Sequence, residues 1–157
     1  CSMTPIRHEC PSRWYRFPEL GVAVFAFLLN LPWEFLQVPL FAGMAQMPHW
    51  QAVKTCTRAA IGDVVIMLLS FWLVSIIVKS RHWIFAPSPR QLVLLVCTGV
   101  LITVAIELAV LRGHWLASWH YAAEMPLVPV LGVGLAPVLQ WVVLPPLVVW
   151  FVGPRSA

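Results

Sequence analysis

Apolar residues run through this chain in four long blocks instead of alternating with polar ones. Residues 20–53 carry one charge, Glu34; residues 59–78 carry only Asp63, residues 91–111 only Glu107, and residues 125–154 none. A helix needs about 20 such residues to cross about 30 Å of hydrocarbon, because the backbone rises 1.5 Å per residue and no unpaired peptide group can face lipid. The pattern predicts an all-α fold: a polytopic integral membrane protein, one membrane domain over 1–157, with four transmembrane helices in a bundle at about 20–42, 59–78, 91–111 and 128–152. The breaks are chemical as well: Met47-Pro48-His49, Ala86-Pro87-Ser88-Pro89 and Arg112-Gly113 separate the blocks.

Composition agrees with the pattern and removes the alternatives. The chain is 61% hydrophobic and 10% charged, against about 45–50% and about 25% for a soluble domain, which excludes a water-soluble globule and a disordered segment alike. Lys and Arg set the orientation. Seven (Arg7, Arg13, Arg16, Lys79, Arg81, Arg90, Arg155) fall on the side of the two termini and three (Lys54, Arg58, Arg112) on the other, which predicts a bacterial inner-membrane protein with both termini cytoplasmic. The net charge of +4 then follows from topology and anionic headgroups. The basic residues are scattered singly, so no nucleic-acid partner is expected. Cys1-Ser2 matches the start of a mature lipoprotein, but an external N-terminus would oppose the charge rule, and Met3 is a candidate initiator. The four cysteines lack Cys-x-x-Cys spacing, which argues against a zinc or thioredoxin-like site.

An ionisable residue inside a span costs at least about 2.5 kcal/mol at the helix centre, so its presence asks for a reason. Three of the six acids are inside, with no base beside them. With the spans as drawn, Glu34 lies about 12 Å and Asp63 and Glu107 about 6 Å below the outer ends, at 1.5 Å per residue. All three belong to the extracytoplasmic half. Asn30, Glu34 and Gln37 recur at i, i+4 and i+7 and share one helix face, with Thr103 one turn before Glu107 and Gln140 about halfway along span four. Proline at 137 is expected to free the carbonyl of Val133 as a further acceptor. These groups can converge between helices. The plainer alternative is that the amides only bond helix to helix, at about 0.6 kcal/mol each, and that Asp63 and Glu107 are rim acids reached by Arg58 and Arg112.

Between spans three and four lies a short outer segment with Trp115, Trp119, His120, Tyr121 and Glu124. Spacings of four (Trp115 to Trp119, His120 to Glu124) predict a short interfacial helix with an aromatic stripe and a His–Glu pair beside it. Together with His49 and Trp50 it would cap an acid-lined pocket; an aromatic belt at headgroup level is the plainer reading. Di-iron bundles use Glu-x-x-His pairs, which are absent, and all five histidines lie outside the spans, so no metal site is assigned and the cofactor stays open.

From Glu107 onward the chain resembles bacterial carotenoid-biosynthesis membrane proteins of the bacterioruberin-type hydratase family, in Glu107, Gly113, Trp119-His120-Tyr121, Pro126, Gly132-Val133, Pro137 and Trp141. The resemblance covers residues 107–141, and the Phe-Gly and Leu-Gly-Pro elements of that family are absent. It implies acid–base chemistry on an isoprenoid chain with Glu107 and Tyr121 at the reactive end.

The expected function is therefore a pocket that binds a membrane lipid or lipophilic small molecule, with Glu34, Asp63, Glu107 and His120 as candidate acids and bases and Asn30, Gln37, Trp115, Trp119, Tyr121 and Gln140 as candidate ligand-binding residues. Two other classes compete. One is a structural or assembly subunit that packs against membrane-protein partners in a pigment or respiratory complex. The other is a proton-coupled transporter, for which so short a chain would need to oligomerise.

Overall fold

The computed structural model describes residues 16–113 and 119–153. Four helices, α1 (Pro18–Gln37), α2 (His49–Val78), α3 (Pro89–Leu111) and α4 (Leu135–Val152), are each long and apolar enough to cross a membrane. They form a ring in which each packs on its two sequence neighbours and α4 closes back on α1. This is the all-α four-helix membrane bundle that the four apolar blocks predict.

Local chemistry sets most of the ends. Pro18 and Pro89 occupy first-turn positions, where the missing N–H is no loss. Ser88 and Gln91 cap α3 reciprocally: Gln91 N–H donates to the Ser88 hydroxyl and Ser88 N–H to Gln91 Oε1. Between α2 and α3, at one end of the bundle, a 3-10 turn over Arg81–Phe85 tucks Trp83 and Ile84 into the core. Trp83 Nε1 donates to Ser75 Oγ at 3.0 Å and its ring stacks on Phe71 at 5.7 Å. The apolar core sits in this half: Met67, Phe71, Val74, Leu95, Trp141 and Val148 are all buried. Gly99 makes its tightest contact possible, because a Cβ there would lie 2.1 Å from the Trp141 ring.

Two boundaries differ from the hydropathic expectation. α2 begins ten residues early, at His49 instead of 59, since Pro48 ends the preceding loop and nothing after it opposes helix. At 1.5 Å per residue α2 is about 45 Å long against about 27 Å for α4, and its first turns leave Trp50, Lys54 and Arg58 exposed while Cys56 is buried. α4 begins late, at Leu135 instead of 128. Pro129 disfavours helix at the residue before it, and Val130 and Gly132 hold φ of 71° and 68°. The chain makes a turn instead, closed by Val128 N–H to Val133 O at 2.8 Å and Leu135 N–H to Pro126 O at 2.7 Å.

The expected interfacial helix is also corrected where it can be seen. Residues 119–134 are turns and isolated bridges, because their peptide groups bond elsewhere: Ala42 N–H donates to His120 O at 2.8 Å and Ala122 N–H to Leu40 O at 2.9 Å. The segment is an extended strap across the end of α1, so a spacing of four does not align His120 with Glu124. Trp115 and His114 lie outside the described residues.

Candidate functional site

Three helices bring polar side chains to one point in the half of the bundle away from the α2–α3 connection. Gln140, in the second turn of α4, directs its Nε2 at Asn30 Oδ1 (2.7 Å), Asp63 Oδ2 (2.8 Å) and Glu34 Oε1 (3.4 Å). Its own Oε1 accepts from Gln37 Nε2 at 2.8 Å. Asn30 is fixed by donating its Nδ2 to the Ala26 carbonyl at 2.7 Å, which turns its oxygen inward. The face read from the spacing of Asn30, Glu34 and Gln37 is thus real, and Gln140 is the hub where α1, α2 and α4 meet.

An amide nitrogen carries two hydrogens, and here three oxygens compete for them. The two shortest contacts go to Asn30 and Asp63. Glu34 Oε1 lies 3.4 Å from the same nitrogen, so two carboxyls crowd one amide. Asn30, Gln37 and Gln140 are buried, whereas Glu34 and Asp63 are half-buried and so remain reachable from outside the bundle.

Glu107 forms a second centre. It is buried on α3, and its Oε2 accepts from Trp119 Nε1 at 3.2 Å and from the Tyr121 hydroxyl. Burial and the adjoining Glu107 carboxylate push the Tyr121 phenol well above the ordinary range, so it stays a donor. The strap is what delivers these donors: Phe41 and Tyr121 pair across it with rings 5.8 Å apart. Trp119 and Tyr121 therefore belong with Glu107 rather than with Glu34 and Asp63.

Other expectations fare differently. The His120 side chain is exposed and only its backbone carbonyl takes part in the strap. His49 and Trp50 are exposed at the start of α2 and do not cover the acids. Among the described residues Arg58 and Arg112 pair with neither Asp63 nor Glu107. Pro137 frees no carbonyl: it sits in the first turn of α4, and Val133 O accepts from Val128. The acids meet as a bonded network, while the surface hollows lie at the other end of the molecule, beside Lys79 and Arg90. Among the described residues no three His, Cys, Asp or Glu side chains gather as metal ligands would.

One participant escapes a reading of sequence alone: Phe41 carries no local signal, because its role depends on the strap. Buried hydroxyls in these helices usually donate to the carbonyl four residues back, as Thr57, Ser75 and Thr98 do. Thr103, one turn from Glu107, is buried and its hydroxyl has no partner among the described residues. No family model, curated protein or solved structure matches the chain.

Proposed function

We propose that the protein is an intramembrane acid–base enzyme acting on a lipophilic substrate of the isoprenoid or lipid class, in a bacterial inner membrane with both termini cytoplasmic. The observation that carries this reading is the Glu34–Asp63 pair: two carboxyls from different helices that approach the same Gln140 nitrogen, at 3.4 and 2.8 Å, and are each only partly buried. The isoprenoid class follows from the resemblance of residues 107–141 to carotenoid-biosynthesis proteins.

The chemistry available to such a pair is proton transfer. The protonated carboxyl gives its proton to one carbon of an alkene, whose π electrons form the new C–H bond and leave a cation on the other carbon. That cation then loses a neighbouring proton to the ionised partner, which moves the double bond, or takes up water that yields a proton to the same carboxylate. Gln140 keeps the two groups in register, and Glu107 adds negative potential that favours the cationic intermediate.

Expression of the wild type and of Glu34→Gln and Asp63→Asn in an isoprenoid-producing bacterium, followed by chromatography and mass spectrometry of the lipid extract, tests this. The wild type should create an isomer or a hydrated product that both variants lack while remaining folded. Identical extracts from all three would overturn it. The closed bonding of the network, and the exposure of Trp50, Trp72 and Trp150, favour as second reading an assembly subunit; then the extracts are identical and the protein copurifies with a larger membrane complex.

A further inference from the structure

The inner end of α2 carries a feature that the acid cluster does not use. Helix α2 ends on Lys79 in the left-handed conformation (φ 53°, ψ 31°), with Lys79 N–H bonded to Ile76 O and Ser80 N–H to Ser75 O. This termination normally falls to glycine, which has no Cβ to clash; a lysine bears strain there. Strain retained at one residue points to a use for its side chain. The next turn is rigid, since Trp83 is pinned to Ser75 and Phe71, so the side chains of Lys79, Arg81 and His82 are presented from a fixed backbone.

These residues border a shallow, open hollow lined also by Glu19, Trp72, Ser75, Ile76 and Ser80. Trp72 and Ile76, one turn apart on α2, are exposed and form an apolar track running up the helix from the hollow. Glu19 already faces Arg81 at 3.2 Å, so its charge is matched. Lys79 has no ion-pair partner among the described residues. A cation at the rim, a matched ion pair beside it and an apolar track leading into the membrane complement a molecule with one negative headgroup and an acyl chain.

We propose that this hollow is a binding site for one anionic phospholipid, with the phosphodiester on Lys79 and the Arg81–His82 turn and an acyl chain along Ile76 and Trp72. Basic recesses between membrane helices at the cytoplasmic face suit such headgroups. The site is independent of the Glu34–Asp63 pair.

Native mass spectrometry of the purified protein, exchanged from mild detergent with phosphatidylglycerol or phosphatidylcholine, reads it directly. The discriminating variant is Lys79→Gly, because glycine relieves the backbone and removes the charge at once. Its melting temperature should equal or exceed that of the wild type while retention of phosphatidylglycerol falls at least fivefold. Lys54→Gln, at the opposite end, should leave retention unchanged, and millimolar inorganic phosphate should not displace the lipid. Equal retention of phosphatidylglycerol by wild type and Lys79→Gly, equal retention of the two lipids by the wild type, or displacement by phosphate alone would each overturn the proposal.

Discussion

The two halves of the bundle are built by different forces. In the half next to the α2–α3 connection Phe71, Met67, Val74, Leu95, Val148 and Trp141 interlock as an apolar core, while in the half next to the strap Asn30, Gln37, Gln140, Glu107 and the Glu34–Asp63 pair take the central positions. The border lies where Trp141 covers Gly99, one residue after the hub amide on α4. In a membrane, lipid is as apolar as a leucine side chain, so helix association rests on close packing and on interhelical hydrogen bonds. The apolar half uses the first and the polar half the second. A stable dry half lets the other half hold two carboxyls that the fold alone would not select.

The comparison can be broken from the dry side first. Trp141→Ala removes the largest fully buried side chain and opens a cavity against Gly99. Such truncations cost about 3–5 kcal/mol in soluble cores; with lipid as the reference solvent a loss on the order of 3 kcal/mol is expected, measured by denaturant titration in mixed micelles. Gln140→Leu attacks the wet side. It strips a donor from Asn30 and Asp63 and an acceptor from Gln37 in one step. Leaving buried polar groups unpaired costs about 1–3 kcal/mol, so the expected loss is about 2 kcal/mol, smaller than for Trp141→Ala, together with loss of any turnover that depends on the carboxyl pair. A larger effect from Gln140→Leu than from Trp141→Ala would reverse the assignment of roles to the halves.

How much of this was legible beforehand depended on whether the signal was periodic. The four apolar blocks gave the helices, and the 4- and 3-residue steps from Asn30 to Glu34 to Gln37 placed those three side chains on one face, since both follow from backbone geometry alone. The hub role of Gln140 was visible only as a polar residue inside an apolar run; which partners it would find depends on the closure of α4 onto α1, a long-range contact without local pattern. The strap was misread because spacings of four suggest helix, whereas the peptide groups of His120 and Ala122 bond to the chain at Leu40 and Ala42. The start of α4 was misread because hydropathy counts Val128, Val130 and Leu131 as membrane-spanning although Pro129 and Gly132 bend them into a turn.

The strap offers the finest test of the contrast, because it joins an aromatic surface element to a buried acid. Tyr121→Phe keeps the ring against Phe41 and deletes only the hydroxyl that donates to Glu107. Trp119 still donates to the same oxygen, so the carboxylate is not left bare and the loss should be about 1 kcal/mol, the net value of one hydrogen bond. The dependence on pH carries the sign. The phenol is raised above its unfolded value by burial and by Glu107, so its contribution is fully present below the unfolded pKa of about 10 and declines as pH rises above that value. Wild-type stability, followed by the same titration between pH 8 and pH 11, should therefore fall more steeply above pH 10 than that of Tyr121→Phe. Parallel profiles would mean that the hydroxyl does not hold Glu107 in place, and that the strap is secured by Trp119 and by its backbone bonds to Leu40 and Ala42.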